Sequence, residues 1–230
     1  MLNLLKQLCA LSGVSSWEDE VRDFIRTQAQ PWADSIHTDP IGNLIVFKKG
    51  AKSTGNQLLL SAHMDEVGLM VKRIEEDGSL RFDTVGGIDR RVLCGKPVTV
   101  GKGIPGVIGA KPIHLLTSEE REKSVPVKDL YIDIGALSRQ EAEEAVSPGD
   151  PVTFDSLFDT AHGMIKSRAL DDRAGCAILI DLLKKPLPYD MLFAFVVQEE
   201  TGLNGSKTAA YIADPDAAIV VESTTAAFSL

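Results

Sequence analysis

The sequence predicts an α/β fold in which a mostly parallel or mixed sheet, flanked by helices, is interrupted by an inserted β-barrel-like domain. Two observations predict it: helices are combined with apolar strands at both ends of the chain, and short strands separated by turn residues fill its middle. The 230 residues are 44% hydrophobic and 25% charged. This composition is typical of a globular protein with a sizeable core and excludes a disordered or collagen-like chain.

The sequence of the first part of the chain predicts two helices followed by three strands. Leucines recur at helical spacing from Leu4 to Leu11, until Gly13 interrupts the pattern. Residues 15–18, Ser-Ser-Trp-Glu, fit a capping box that would begin the second helix. Strands are predicted over residues 35–38, 44–47 and 58–60.

The middle of the chain has a different pattern. Short strand candidates alternate with Gly, Pro and Asp turns, and only residues 138–146 have the composition of a helix. We therefore predict a discontinuous α/β domain over residues 1–70 and 163–230, with the β-barrel-like insertion over residues 71–162.

The last part of the chain returns to alternating elements. A helix over residues 171–185 is followed by an apolar strand over 191–197, a helix over 206–212 and a second apolar strand over 217–221. This order is typical of a mostly parallel sheet that is covered on both faces.

Charge and composition exclude several classes of partner. Lys and Arg number 24 against 33 Asp and Glu, which gives a net charge of −9 and predicts no binding to nucleic acid or to acidic membranes. No apolar run is long enough for a membrane helix, and the amino terminus lacks the pattern of a signal peptide. The three cysteines, Cys9, Cys94 and Cys176, show no C-x-x-C spacing, so we expect reduced thiols and a cytoplasmic location.

Three apolar strands end in clusters of polar residues. Residues 58–62 lead to His63-Met64-Asp65-Glu66, residues 193–197 lead to Gln198-Glu199-Glu200, and residues 218–221 lead to Glu222. Because the carboxyl ends of parallel strands meet at one edge of a sheet, we expect these clusters to lie together. A fourth acidic pair, Asp171-Asp172, stands just before a helix and can face the same crevice.

These residue types are ligands of divalent metals such as zinc, cobalt or manganese. The one-residue gap between His63 and Asp65 lets the carboxylate hold one ring nitrogen while the other binds a metal. Of two adjacent carboxylates, one can be a ligand and the other a general base, and a carboxylate such as Asp171 can bridge two ions. Each cluster alone is more often a solvated surface, a helix start or a structural histidine, but four together favour a metal site.

Three segments carry a resemblance to a known family. They are SAHMDEVG at 61–68, ALDDRAG at 169–175 and QEETG at 198–202, and they resemble the signature segments of the glutamyl/deblocking aminopeptidases. These are tetrahedral, dodecameric metallo-aminopeptidases, some of which carry an endoglucanase label. Residues 86–93 and 106–114 resemble segments of that family's inserted domain, and the similarity extends from the first helix to about Thr225.

The resemblance implies a two-metal exopeptidase that removes residues from the free amino terminus of short peptides, with zinc or cobalt as the two divalent ions. It implies that Glu199 is the general base on a metal-bound water and that Asp65 orients His63. It also implies a cis bond between Asp171 and Asp172. The implied metal ligands are His63 and Glu222 on the first ion, Asp171 as the bridge, and Glu200 on the second ion.

The resemblance further implies a catalytic α/β domain with a zinc-peptidase-like sheet and an insertion that serves dimerisation. The chain is therefore expected to form a homo-oligomer, from a dimer up to a tetrahedral dodecamer. The family pattern has a fifth metal ligand, a histidine near the carboxyl terminus of the family's longer chains and well beyond the position of Leu230. We therefore expect a weakened second site, an unpaired strand at 217–221 and uncovered apolar surface there, with His114 or His162 as conceivable substitute ligands.

Two other classes of function remain open from the sequence. One is a truncated, catalytically inactive member that only folds, assembles or binds peptides. The other is a related two-metal hydrolase such as a deacylase or a carboxypeptidase. Paired carboxylates could also serve a glycosidase, but the His63-x-Asp65 pattern has no role in that chemistry.

Overall fold

A computed structural model describes residues 1–53 and 55–225, so expectations for residues 226–230 lie outside the described residues. The chain divides into two compact units. Residues 1–66 together with 157–230 form the first, which we call the α/β unit, and residues 67–156 form the second, which we call the barrel unit. None of the described helices is long and apolar enough to cross a membrane.

The described residues form helices and strands in the following order along the chain. The helices are α1 (Leu2–Ala10), α2 (Asp19–Ala29), α3 (Ser118–Arg121), α4 (Arg139–Glu143), α5 (Leu170–Leu183) and α6 (Asn204–Ala213). The strands are β1 (Ser35–Thr38), β2 (Leu44–Lys48), β3 (Leu58–His63), β4 (Gly68–Ile74), β5 (Leu80–Val85), β6 (Pro97–Val100), β7 (Ile104–Gly109), β8 (Tyr131–Asp133), β9 (Pro151–Phe154), β10 (Asp159–Ala161), β11 (Met164–Lys166), β12 (Met191–Val196) and β13 (Ala217–Val220).

The α/β unit contains a five-stranded mixed sheet in the order β1-β2-β12-β3-β13. Strand β3 lies between β12 and β13 and runs parallel to both, whereas β2 pairs antiparallel with β12 and with β1. Strands β10 and β11 form a separate hairpin. The predicted fold class, a mostly parallel or mixed sheet with helices and an inserted barrel, is therefore confirmed.

Alternate side chains of the central strands pack on opposite faces of this sheet. Phe193 and Phe195 of β12 belong to the larger apolar cluster, which also contains the buried residues of α1, α2 and α5. Ala194 and Val196 belong to a second cluster with residues of α6. Because both faces are covered by helices, the middle strands are apolar on both sides, which explains their continuous hydrophobic runs.

The parallel pairing brings the carboxyl ends of β3, β12 and β13 to one edge. Val196 at the end of β12 is the register partner of His63 at the end of β3, and the Val221 N–H donates to the Ser61 carbonyl. The expectation that residues 217–221 would be unpaired is wrong along one side, because β13 pairs with β3 there. Ile219 and Val220 are nevertheless more than 60% exposed.

The capping box predicted at residues 15–18 does not form. Helix α2 begins at Asp19, and no side chain caps its first turn. Ser15 instead lies in a turn that follows the bridge between Val14 and Glu66; its N–H donates to the Glu66 carbonyl, and the Glu66 N–H donates to the Gly13 carbonyl. The Ser15 hydroxyl is thereby directed to a buried carboxylate far along the chain rather than to its own helix.

The barrel unit is a closed six-stranded barrel in the order β4-β5-β8-β7-β6-β9. Its interior is apolar, with Leu69, Leu80, Val98, Ile132 and Val152 completely buried. The prediction that only residues 138–146 are helical was incomplete, because α3 and three short 3-10 turns also lie between the strands. Helix α3 begins with a capping box between Thr117 and Glu120, which the sequence analysis did not identify.

Candidate metal centre

His63 occupies the centre of the polar edge of the sheet, where it is almost completely buried. Its Nδ1 lies 3.0 Å from the Asp65 carbonyl, which can only accept, so Nδ1 carries the proton. Its Nε2 faces two carboxylates, Asp171 Oδ1 at 3.0 Å and Glu222 Oε1 at 3.6 Å. In the neutral form of the ring, which is the form that can bind a metal, the Nε2 lone pair would be directed at the residues that the sequence predicted as metal ligands.

Two groups of potential ligand atoms share His63. In one, atoms of His63, Asp172 and Glu222 all lie within 4.8 Å of one another, and in the other, His63 does so with Glu199 and Glu200. Neither group contains His114 or His162, which were considered as substitute ligands. The polar edge of the sheet therefore brings all the predicted ligands together. Asp171 belongs to neither group, but it contacts His63 Nε2.

Asp65 lies completely buried beneath this cluster. Its Oδ1 accepts the Glu199 N–H at 3.0 Å and lies 3.4 Å from His63 Nδ1. Its Oδ2 accepts the Glu200 N–H at 3.1 Å and the Ser15 hydroxyl at 2.5 Å. Burial by itself would raise the pKa of Asp65, but these donors and the charge of His63 hold the pKa below its ordinary value. The carboxylate is therefore kept ionised, and it joins the end of β3 to the turn after β12.

The start of α5 presents the acidic pair to the cluster in two different ways. Asp171 and Asp172 have non-helical backbone angles, and the bond between them is cis, as expected from the resemblance. Asp171 is more than half exposed, whereas Asp172 is completely buried. The Asp172 carboxylate accepts the His63 N–H at 3.3 Å and the Gly175 N–H at 3.0 Å.

Gly175 is required by the position of Asp172. A Cβ atom added at residue 175 would lie 2.4 Å from Asp172 Oδ2, which is closer than real Cβ contacts. Sequence reasoning gave Asp172 no separate role. The signal available was the glycine three residues after the aspartate, where a carboxylate at a helix start can accept an N–H.

Electrostatic crowding is visible in the pKa values of the metal-free site. Burial by itself would lower the pKa of His63, but the hydrogen bond and charge of Asp65, with further charge from Glu222 and Asp172, raise that pKa from 6.5 to about 10. The ring is therefore cationic at neutral pH in the absence of metal. The surrounding negative charge is what stabilises this cation.

The carboxylates of the cluster are shifted towards their neutral forms. Burial, and then the charge of Glu222, raise the pKa of Asp172 to about 7. Burial, with the charges of Asp171 and Glu199, raises the pKa of Glu200 to about 7 despite the opposing effect of His63. Burial also raises the pKa of Glu222. Crowded carboxylates around one imidazole form a donor set that a divalent cation would satisfy, so these residues fit a zinc- or cobalt-type site.

Two further buried charged residues, Arg173 and Glu66, support this edge, and the sequence analysis assigned neither of them a role. The Arg173 guanidinium is completely buried, and it donates from Nε to the Met64 carbonyl at 2.7 Å and from Nη1 to the Leu8 carbonyl at 2.6 Å. Glu66 forms an ion pair with Arg168 at 3.1 Å. An arginine among the apolar residues of a helix was the only sequence signal for Arg173.

Comparisons with known proteins give a consistent result. A family model described as M42 glutamyl aminopeptidase matches residues 42–229. A relative from Acetivibrio thermocellus, whose name assigns it provisionally to the aminopeptidases, is 39% identical over 226 residues, which are 97% of this chain and 66% of the relative. The chain thus spans slightly less than two thirds of the length of that relative.

Solved structures show the same similarity. The TET aminopeptidase from the marine sediment archaeon Thaumarchaeota archaeon SCGC AB-539-E09 is 36% identical with a TM-score of 0.93, over 99% of this chain and 67% of that one. The TET1 peptidase of Pyrococcus horikoshii, described as assembling into a tetrahedron or a large octahedral shell, is 40% identical with a TM-score of 0.87, over 96% of this chain and 68% of that one. The family model matches most of the residues of this chain, so the chain belongs to the M42 glutamyl aminopeptidase family.

Proposed function

We propose that the polar edge of the α/β unit is the centre of a metal-dependent aminopeptidase that removes amino-terminal residues from short peptides. The observation that carries the proposal is the convergence on His63 of carboxylates from three separate chain segments, after β12, after β13 and at the start of α5. Family membership supports the reaction class. The activity, substrates and assembly of the whole protein are part of the proposal.

The proposed ligands are those that the resemblance implies, and the surroundings of His63 support them. His63 and Glu222 would hold one ion, Asp171 would bridge to a second, and Glu200 would bind the second. Support comes from the 3.0 Å and 3.6 Å approaches of Asp171 and Glu222 to Nε2 and from the grouping of His63 with Glu200. When bound, two zinc or cobalt ions would polarise the scissile carbonyl and the attacking water.

Glu199 is proposed as the general base. Its carboxylate belongs to the same group as His63 and Glu200, and its N–H is bonded to Asp65. A Glu199 oxygen would take a proton from the attacking water and deliver it to the leaving amine of the peptide. Asp65 would act beneath the site by fixing the backbone of residues 199–200 and the ring of His63.

The partners and the location are also proposals. We propose peptides with a free amino terminus as substrates and a homo-oligomer as the functional form, because the similar Pyrococcus horikoshii peptidase is described as assembling into closed shells. All three cysteines are free, which supports a reducing compartment such as the cytoplasm.

The proposal is tested by hydrolysis of a panel of short peptides with zinc or cobalt added. We expect metal-dependent release of first residues and a loss of about 10²- to 10⁴-fold in kcat for Glu199→Gln. Glu76→Gln is the matched control, because the Glu76 side chain is highly exposed in the barrel unit. Turnover by Glu199→Gln at the wild-type rate would contradict the role of Glu199. Cleavage of amino-terminally blocked peptides alone would indicate a deacylase or a carboxypeptidase.

A further inference from the structure

The segment between α1 and α2 contains two buried polar side chains that the proposed reaction does not use. Ser15 is 1% exposed and Glu18 is 4% exposed. Neither side chain caps α2, although their spacing matches a capping box. A role in starting the helix therefore does not explain why these polar groups are buried.

Both side chains are connected by hydrogen bonds to the turn that follows β12, Glu18 directly and Ser15 through Asp65. The Ser15 hydroxyl donates to Asp65 Oδ2, and the two oxygens of Asp65 accept the N–H groups of Glu199 and Glu200. Glu18 Oε1 accepts the Gln198 N–H at 3.1 Å. Three consecutive N–H groups, those of residues 198–200, are therefore bound by two buried carboxylates.

This arrangement fixes a turn whose backbone is not in a common conformation. Gln198 has a φ of 54°, in the left-handed region that residues other than glycine and asparagine rarely adopt. The same Glu18 oxygen also accepts the Ser16 N–H at 2.8 Å, which ties its carboxylate to its own segment. The turn is thus anchored to residues 15–18 at one end and to Asp65 at the other.

We propose that Ser15 and Glu18 are positioning residues for the Gln198–Glu200 turn. Ser15 fixes the orientation of the Asp65 carboxylate, and Glu18 fixes the first N–H of the turn. Together they aim the side chains of Glu199 and Glu200 at His63. The consequence for metal binding and turnover rests on the proposed function, whereas the consequence for the turn itself does not.

The chemistry of Asp65 Oδ2 explains why Ser15 matters. This oxygen receives two donors, the Ser15 hydroxyl and the Glu200 N–H. Removing the hydroxyl leaves a buried carboxylate oxygen with one donor fewer and frees the carboxylate to rotate about its side-chain bonds. The hydrogen bonds that the N–H groups of Glu199 and Glu200 donate to this carboxylate weaken as a result.

The first test uses amide hydrogen exchange in the metal-free protein. In Ser15→Ala we expect the N–H groups of Glu199 and Glu200 to exchange about tenfold faster, whereas Glu18→Ala should accelerate Gln198 most. Ser15→Thr retains the hydroxyl and should restore slow exchange. Thr153→Val is the control, because it removes another buried hydroxyl, in the barrel unit.

The second test measures cobalt affinity and turnover in the same variants. Loss of a group that orients metal ligands typically costs about 10- to 100-fold in affinity or activity. We expect Ser15→Ala to lose cobalt affinity and kcat in that range, with KM changed less, and Ser15→Thr and Thr153→Val to resemble the wild type. The d–d absorption of bound cobalt should also change in Ser15→Ala.

The outcomes separate this inference from the proposed function. If the wild type binds cobalt and cleaves peptides but Ser15→Ala matches it in exchange and affinity, the positioning role is overturned and the proposed function stands. Equal losses in Ser15→Ala and Ser15→Thr would also overturn the role of the hydroxyl. If the wild type binds no divalent metal, the proposed function fails, and the exchange data alone confirm or overturn the positioning of the turn.

Discussion

The two units use the same sequence motif in opposite ways. In the barrel unit, Thr117 and Ser138 each stand three residues before a glutamate, and each hydroxyl accepts the N–H of that glutamate as a local helix cap. In the α/β unit, Ser15 stands three residues before Glu18, but its hydroxyl donates to Asp65, fifty residues away. The same spacing therefore caps a helix at Thr117 and at Ser138, whereas at Ser15 a buried carboxylate binds the hydroxyl.

The units also differ in where they bury polar side chains. Among the described residues, ten of the eleven buried polar or charged side chains belong to the α/β unit, and only Thr153 belongs to the barrel unit. The interior of the barrel unit is thus almost entirely apolar among the described residues. The α/β unit instead buries a hydrogen-bonded network of polar side chains, and the proposed metal centre lies in that unit.

Removal of large core side chains should be costly in both units. Phe193 in the α/β unit is completely buried, so Phe193→Ala should lower the free energy of unfolding by about 3–5 kcal/mol, and Leu80→Ala in the barrel unit by about 2–5 kcal/mol. Chemical denaturation measures both changes. Tyr211→Ala is the control, because that side chain is 88% exposed. A loss below about 1 kcal/mol in either core variant would contradict tight packing there.

Metal should stabilise only one of the two units. At a concentration a hundred times its Kd, an ion that binds only the folded state adds about 2.7 kcal/mol to the free energy of unfolding. We expect hydrogen exchange to slow around His63 and in residues 198–200 and to remain unchanged in β4–β9. If metal slowed hydrogen exchange equally in the barrel strands, the prediction that it stabilises only the α/β unit would be wrong.

Metal affinity should rise with pH. Below pH 10 a metal ion must displace the proton that the surrounding carboxylates hold on His63, so affinity should increase about tenfold, or about 1.4 kcal/mol, for each pH unit between 7.5 and 8.5. Below pH 7 the dependence should be steeper, because Glu200 is then also protonated. Competition with a coloured chelator at several pH values measures this slope. A pH-independent affinity would mean that His63 is not a ligand.

Much of the fold and the gathering of the site were predictable from local patterns. Apolar strands followed by His63, Glu199 and Glu222 indicated one edge of a parallel sheet, and the pairing of β3 with β12 and β13 brings those residues together. The periodicity of a strand and the direction of a parallel pair are properties that the nearby residues determine. The roles of these residues as ligands and base remain predictions.

The remainder depended on contacts between distant residues. Nothing near Ser15 indicates that its hydroxyl will meet Asp65, and nothing near Asp172 indicates that it will accept the His63 N–H across 109 residues. The closure of the barrel through β9, which pairs with both β4 and β6, is likewise invisible to local patterns. Such contacts are decided by the tertiary structure and not by the propensity of a segment.

The discontinuity of the α/β unit has a consequence for the order of folding during synthesis. The barrel unit is one continuous segment, so all of its strands have been synthesised before residue 157 is made. Strand β3 precedes the barrel in the chain, but both of its neighbours, β12 and β13, follow it. When the last barrel strand has been synthesised, the nascent chain therefore already contains the apolar strand β3 but neither of its sheet partners. His63 and Asp65 acquire their surroundings only after the turn at residues 198–200 has been translated.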